Sequence, residues 1–145
     1  AEDSCAELVQ WRDRALRLQA EIDNFRKRQQ RLSEERVRDD RERLLRAFLG
    51  VADDLERALK AEGGGAGLRE GVELTHREFL KLLEREGVEA IEALGKPFDP
   101  EWHEGLATVS HAEAGVRPNT VVQVVETGYR IGDRLLRPSR VIVAA

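Results

Sequence analysis

Apolar residues at alternating spacings of three and four run along the first part of the chain, and this spacing constrains the fold more than any other feature. It places successive apolar side chains along one face of a helix, as in a coiled coil. No glycine or proline occurs before Gly50, so the pattern predicts one nearly continuous helix that pairs with a second copy. The stripe consists of Leu8, Trp11, Ala15, Leu18, Ile22, Phe25, Gln29 and Leu32.

A polar segment interrupts this stripe. Residues 33–43, SEERVRDDRER, contain a single apolar side chain, and a helix can cross such a segment when ion pairs between residues four apart support it. Gln29 is polar at a core position, which can fix the register of a coiled coil at some cost in stability. A second apolar set in a shifted register comprises Val37, Leu44, Phe48, Val51, Leu55 and Leu59.

A glycine-rich loop and a second amphipathic helix follow. GGGAG, residues 63–67, ends the first helix, and Gly87 is suited to end the second because glycine readily adopts the left-handed conformation there. The apolar faces of the two helices are too wide to cover each other. Two such hairpins would bury them as a four-helix bundle, so we expect a parallel homodimer. The predicted dimer interface contains Leu8, Trp11, Leu18, Ile22, Phe25, Leu32, Leu44, Phe48, Val51, Leu55 and Phe79.

Helical periodicity ends after Gly87, and short runs typical of β-strands begin. They are VEAIEAL, LATVSH, TVVQVVETGY and the terminal RLLRPSRVIV, which we interpret as a single strand after a hairpin turn at Gly132-Asp133. The predicted fold class is α+β. Its predicted parts are a long dimerising helix (1–62), a glycine-rich loop with the second bundle helix (63–87) and a small all-β domain (88–145).

Composition excludes several classes of protein. Charged residues make up 36% of the chain, which is typical of long exposed helices, and the net charge of −4 disfavours a general polyanion binder. Cys5 is the only cysteine, so no intrachain disulfide forms, and a lone thiol favours a reducing compartment such as the cytoplasm. No apolar run approaches the roughly 20 residues of a membrane span. Because the chain lacks methionine, we expect a further N-terminal segment.

The sequence offers no convincing catalytic, cofactor-binding or metal-binding site. GGGAG follows a helix and lacks the Lys-Ser/Thr of a phosphate-binding loop. The histidines show no metal-ligand spacing. We expect His76 on the surface. We expect His103, within PEWHEGL, to have a structural or contact role, because no nucleophile lies nearby.

Two arginine-rich segments are candidate partner-binding regions. FRKRQQR, residues 25–31, is either a solvated helix face or a docking patch. In the β-region, arginines alternate with apolar residues, as in many protein–protein hot spots, although the wet face of a small sheet would have the same composition. These arginines are Arg130, Arg134, Arg137 and Arg140.

Several motifs together resemble one known family. FDPEWHEGL (98–106) and GYRIGDRLLRPSRVIV (128–143) are similar to the signature of the GrpE family, the dimeric nucleotide exchange factors of the DnaK chaperone. Three upstream segments also resemble segments of that family and occur in the same order. They are DNFRKR, DDLERAL and EGVELTHREFLKLLEREGVEAI. Gly105 departs from the pattern, since the family usually has alanine there.

The resemblance implies a mechanism and a set of contact residues. It implies that one β-domain of a dimer docks on the DnaK ATPase domain and holds its cleft open, so that ADP leaves, with a possible role in temperature sensing. Gly71 fits a close approach of the partner, because a mid-helix glycine otherwise costs about 1 kcal/mol relative to alanine. The contact positions that carry over are Phe98, Pro100, Val125, Arg134, Val143, Arg26 and Gly71.

Two other functions remain open from the residues alone. A coiled-coil scaffold would use only the length and pairing of the helix, and it would tolerate charge reversal at Arg134. A nucleic-acid binder acting through residues 25–31 would show an affinity that falls steeply with salt.

We predict that residues 33–43 loosen on heating before the predicted bundle does, because this segment buries little apolar surface. Hydrogen exchange followed along the helix with rising temperature checks this. Uniform protection along the helix would contradict it, and a temperature-sensing role requires exchange activity to fall in the same range.

Overall fold

A computed structural model describes residues 1–145 and confirms the α+β class, with two long helices followed by six strands. The chain divides into two compact units, Ala1–Arg43 and Leu44–Ala145. The elements in chain order are α1 (Glu2–Lys60), α2 (Ala66–Arg85), β1 (Val88–Ala90), β2 (His103–Val109), α3 (His111–Ala114), β3 (Thr120–Glu126), β4 (Tyr129–Ile131), β5 (Arg134–Arg137) and β6 (Ser139–Ala144).

The first unit is helical, and its apolar stripe has no core to enter. Every side chain up to residue 41 is exposed. Leu8 and Trp11, at the start of the stripe, are 69% and 64% exposed. Large contiguous apolar patches of this kind are uncommon on monomeric proteins and mark interaction surfaces. A single copy of this unit therefore presents an apolar face that a partner could cover.

The helix α2 ends where its glycine predicts. Gly87 has a φ of +84°, in the left-handed region, and its N–H donates to the Glu84 carbonyl at 2.9 Å. This bond satisfies one of the carbonyls that a helix end leaves open. The chain then enters β1 directly at Val88.

The strands form two separate three-stranded sheets, ordered β1-β4-β5 and β2-β6-β3. β4 and β5 pair antiparallel around Gly132-Asp133, which confirms the predicted hairpin turn. In the second sheet, β6 lies between β2, which is parallel to it, and β3, which is antiparallel.

The terminal run RLLRPSRVIV is two strands, so its interpretation as one strand was wrong. Arg134–Arg137 belongs to the first sheet and Ser139–Ala144 to the second, with Pro138 between them. Proline has no backbone N–H to donate to a ladder, and strands commonly end at this residue. Pro138 therefore marks the point where the chain leaves one sheet for the other.

The first sheet packs on the helices, whereas the second sheet has a core of its own. The first core combines Leu45, Leu49 and Ala52 of α1 with Leu83 of α2 and with Val88, Tyr129 and Leu136 of the strands. The second core contains Ala93, Val121, Val141 and Val143, with Phe98 and Val124 packed against it. One of the two sheets in the predicted β-domain thus shares a core with the two helices.

The two sheets approach each other closely at Gly128. Its N–H donates to the Ser139 hydroxyl at 3.0 Å, and Ser139 is completely buried. A methyl group built on Gly128 would lie 2.7 Å from the Pro138 carbonyl carbon and would also clash with the Ser139 nitrogen. Backbone atoms cannot move aside as a flexible side chain can, so this position has no room for any larger residue.

We predict that Gly128→Ala lowers the free energy of unfolding by roughly 1–3 kcal/mol, as overpacking in a core does. Gly71→Ala is the matched control. A methyl group there meets no atom within 4 Å, so it should stabilise the folded chain by about 1 kcal/mol through helix propensity. Urea denaturation followed by circular dichroism measures both. Equal effects of the two substitutions would contradict the close approach at Gly128.

Candidate partner-binding site

Three of the predicted contact residues in the β-region lie on its surface. Pro100 and Arg134 are exposed, and Val125 is 46% exposed at the surface of β3. Arg134 begins β5 immediately after the hairpin turn. An exposed valine and an exposed arginine on short strands are the kind of residues that anchor a protein–protein contact.

The two remaining contact residues of the β-region lie mainly inside it. Phe98 is half-buried and Val143 is 8% exposed, and both pack in the second core. They nevertheless line one shallow depression together with Leu106, which is 41% exposed. Since Val143 offers little surface, its main role in this structure is to form the floor beneath that depression.

The helical contact residues lie apart from these strands in sequence. Arg26 is an exposed residue of the first unit. Gly71 is an exposed residue of α2, and a methyl group built on it would meet no atom within 4 Å outside the backbone of its own helix. The chain itself therefore gives no packing reason for a glycine at this position, and the close approach of a partner stays a prediction.

Most of the predicted dimer-interface residues are exposed in the single chain. Leu55 and Phe79 are the exceptions, because both are half-buried, and Phe79 packs against the first core. The exposed residues are Leu8, Trp11, Leu18, Ile22, Phe25, Leu32, Leu44, Phe48 and Val51.

A polar cluster beneath the hairpin, which we call the Arg137 cluster, comprises Asp53, Glu126, Thr127, Tyr129 and Arg137. The Arg137 guanidinium donates to both carboxylate oxygens of Asp53, at 2.6 and 2.7 Å, and to the Thr127 carbonyl, at 2.6 and 2.9 Å. Glu126 lies 3.0 Å from the same guanidinium. Parallel hydrogen bonds of this kind fix the orientation as well as the position of both partners.

The environment of Arg137 favours its charged form. Burial alone would lower the pKa of the guanidinium, but its hydrogen bonds to Asp53 and the negative charges of Asp53 and Glu126 raise the pKa overall. The guanidinium carbon also lies 5.4 Å from the centre of the Tyr129 ring, within the range of a cation–π contact. The Arg137 cluster therefore contains a charged guanidinium whose N–H groups all have hydrogen-bond or ion-pair partners.

Glu56 extends these contacts to α2. It accepts a hydrogen bond from the Thr127 hydroxyl at 3.1 Å, and His76 Nε2 lies 3.7 Å from the same carboxylate. The His76 side chain is only 18% exposed, so the expectation that it lies on the surface was wrong. The sequence neighbours of His76 are charged, but the face of α2 that carries it turns toward α1.

The buried His103 has structural contacts. Its Nδ1 accepts a hydrogen bond from the Asp99 backbone N–H at 3.0 Å, and its ring lies 5.9 Å from the Phe98 ring. These two contacts hold the loop that leads into β2. No group of three or more His, Cys, Asp or Glu residues is placed to hold a metal ion. None of the helices combines the length and the apolar character that a bilayer crossing requires.

Comparison with known proteins matches the GrpE family model to residues 1–145. The chain belongs to the GrpE family. It is 44% identical to Protein GrpE of Allorhizobium ampelinum over 152 residues, which cover 96% of this chain and 72% of that protein. It is 41% identical over 142 residues to Protein GrpE of Parageobacillus thermoglucosidasius, with 96% and 62% covered. It is also 41% identical over 138 residues to Protein GrpE of Caldanaerobacter subterraneus, with 95% and 67% covered.

The GrpE motifs quoted from the sequence correspond to defined parts of this structure. FDPEWHEGL forms the loop closed by His103 and the start of β2, and GYRIGDRLLRPSRVIV forms β4, β5 and most of β6. Gly105, the departure from the family pattern, lies within β2, where a methyl group would make an ordinary contact of 3.7 Å with the Phe98 ring. Glycine is therefore not required there.

The contacts of Asp53 and Glu56 with the hairpin were not predicted from the sequence. Both lie within DDLERAL, residues 53–59, and Arg137 lies in the terminal motif. The motif resemblance had pointed to both segments. The ion pair itself joins residues 84 positions apart, so the local spacing of residues could not predict it.

Tyr129 gives the Arg137 cluster a spectroscopic signal. It is the only tyrosine of the chain and is 1% exposed, and its hydroxyl makes no hydrogen bond of ordinary geometry. Burial raises the pKa of this phenol strongly, the nearby Glu56 carboxylate raises it further, and Arg137 offsets part of the increase.

We predict that Tyr129 stays protonated in the folded chain well above pH 10, the ordinary range of a tyrosine. The unfolded chain loses this proton near pH 10 while the folded chain retains it, so stability falls as the pH rises above about 10. Alkaline titration followed by phenolate absorbance measures this, and ionisation should coincide with loss of helicity. In Tyr129→Phe the fall in stability should be shallower, and phenolate formation near pH 10 with the helices intact would contradict the prediction.

Proposed function

We propose that the chain acts as a homodimeric nucleotide exchange factor that binds the ATPase domain of a DnaK-type chaperone and opens its cleft to release ADP. The observation that carries this proposal is the match to the GrpE family over the whole chain, and family membership supports a co-chaperone role. The exposed apolar and basic residues of the β-strands are compatible with such a docking surface.

The proposed docking surface combines three features of the second unit. Arg134 supplies an exposed charge beside the hairpin turn, Val125 an exposed apolar side chain on β3, and Phe98 an apolar wall of the shallow depression. Pro100 adds an exposed rigid residue to the loop before β2. A small surface of this kind acts on a partner by binding one of its conformations more tightly than the other.

Differential affinity is sufficient for nucleotide exchange. If the surface binds an open ATPase cleft better than a closed one, it shifts the population toward the open state. Each tenfold preference supplies about 1.4 kcal/mol. The chemistry then belongs to the chaperone, and in this proposal the chain is not an enzyme, needs no cofactor and works in the cytoplasm.

Pairing of the chain would cover the apolar face of α1. The face is exposed at every stripe position of the first unit, and burial of apolar area stabilises by roughly 25 cal/mol per Å². We therefore propose that two copies pair in parallel along this face and that residues 44–83 of both copies form a four-helix bundle. The alternative of a scaffold that only pairs requires no docking surface on the strands.

We predict that Arg134→Ala weakens binding to the ATPase domain about tenfold, a loss of about 1.4 kcal/mol, while helicity and pairing stay unchanged. Titration calorimetry measures the affinity. Arg77→Ala is a matched control, because Arg77 is an exposed arginine on α2 that pairs with Glu73. A scaffold without exchange activity would show equal behaviour of both variants.

Stopped-flow release of a fluorescent ADP analogue from the chaperone tests the activity itself. The wild-type chain should accelerate release, and Arg134→Ala should require a higher concentration to reach the same rate. Release at the unaided rate in the presence of wild-type chain would overturn the proposed function. Retention of DNA or RNA at physiological salt would favour the nucleic-acid alternative instead.

A further inference from the structure

We propose that Arg137 is a positioning residue, which holds the β4–β5 hairpin, and with it Arg134, in a fixed orientation on α1. The inference rests on the proposed function, because its consequence is a dependence of docking on a residue that does not belong to the docking surface. Arg137 has a side chain only 17% exposed, so its role is exerted through the contacts it makes inside the chain.

The hairpin has little stability of its own. β4 has three residues and β5 four, and the only other strand of their sheet, β1, has three. Sheets this small need packing against another element to hold their geometry. The turn at Gly132-Asp133 lies at the surface, where the Gly132 N–H donates a long hydrogen bond of 3.4 Å to the Gly87 carbonyl. The orientation of the hairpin, and with it that of Arg134, therefore also depends on how the other end of the hairpin is attached to α1.

The hairpin is hydrogen-bonded to two residues of α1 that are separated along the helix axis. Arg46 donates through Nε to the Leu136 carbonyl at 2.9 Å, and Asp53 accepts both hydrogen bonds from Arg137. Residues 46 and 53 are two turns apart, about 10 Å along the axis. Two polar contacts at this distance fix the direction of the strand along α1, in addition to the apolar packing of Tyr129 and Leu136 in the first core.

Arg137 also ties the two ends of the hairpin to each other. Its guanidinium bonds the Thr127 carbonyl, just before β4, from its own place at the end of β5. The Thr127 hydroxyl is in turn bonded to Glu56 on α1. Both ends of the hairpin thus reach the same helix through one guanidinium. Lysine cannot reproduce this arrangement, since its ammonium group lacks the planar fork that bonds a carboxylate and a carbonyl together.

The test compares Arg137→Lys, Asp53→Asn and their double variant with the wild-type chain. Asp54→Asn is the matched control, because Asp54 is the neighbour of Asp53 but pairs with Arg57 in an exposed ion pair on α1. Conservative changes are chosen so that the chains stay folded, and all measurements are made well below the unfolding temperature, with helicity checked by circular dichroism.

Hydrogen exchange of residues 127–137 gives a readout that needs no partner. Arg137→Lys and Asp53→Asn should each raise the exchange rate of hairpin amides about tenfold relative to the second sheet, and Asp54→Asn should leave it unchanged. The double variant should show an exchange rate similar to those of the single variants, because the effects of substitutions at two residues in direct contact are not additive. Unchanged hairpin exchange in a folded Arg137→Lys chain would overturn the inference.

Titration calorimetry with the chaperone ATPase domain gives the second readout. Both single variants should bind about tenfold more weakly than wild type at unchanged helicity. If the ion pair only stabilises the fold, the variants should unfold at a lower temperature but bind with unchanged affinity when folded. That result would also overturn the inference, and it would leave the proposed function intact. If the wild-type chain itself does not bind, the proposed function fails, and the exchange measurement alone decides whether Arg137 fixes the hairpin.

Discussion

The ion pair between Arg137 and Asp53 joins a strand near the C-terminus to a helix that begins at the N-terminus. A guanidinium that is taken out of water must have its donors satisfied, or the burial costs several kcal/mol. Here the Asp53 carboxylate and the Thr127 carbonyl satisfy them at 2.6–2.9 Å. The contact affects both elements. The helix holds the hairpin in place, and the hairpin covers the part of α1 that carries Leu49 and Ala52, which are completely buried.

The division of the strands into two sheets follows from steric limits at a single crossing. Pro138 interrupts the ladder, and Gly128 allows the backbone of Ser139 to pass at a distance that no other residue would permit. The first sheet can then share a core with the helices while the second forms its own core around Val141. The proposed docking residues lie on both sheets, so their mutual arrangement depends on this crossing.

Local patterns predicted the elements that local physics determines. The uninterrupted helix of residues 2–60, its end before the glycine-rich loop, the left-handed Gly87 and the turn at Gly132-Asp133 all follow from spacing and backbone preference. The exposure of His76 was mispredicted for the same reason: charged neighbours suggest a solvent-facing side chain, but the packing of α2 against α1 decides which face is covered. The candidate contact residues came from motif resemblance, and composition alone left a wet sheet face equally possible.

The sequence by itself determined the long helix with its apolar stripe, the second helix, the hairpin and membership of the GrpE family, because periodicity, glycine positions and ordered motifs are properties of the chain read residue by residue. Only the tertiary structure decided that Asp53 meets Arg137, that Tyr129 enters the core shared with the helices, and that the last ten residues serve two sheets. Such contacts join residues up to 84 positions apart. Their partners are determined by packing and by the need to satisfy buried charges, and neither can be predicted from the neighbouring residues in the chain.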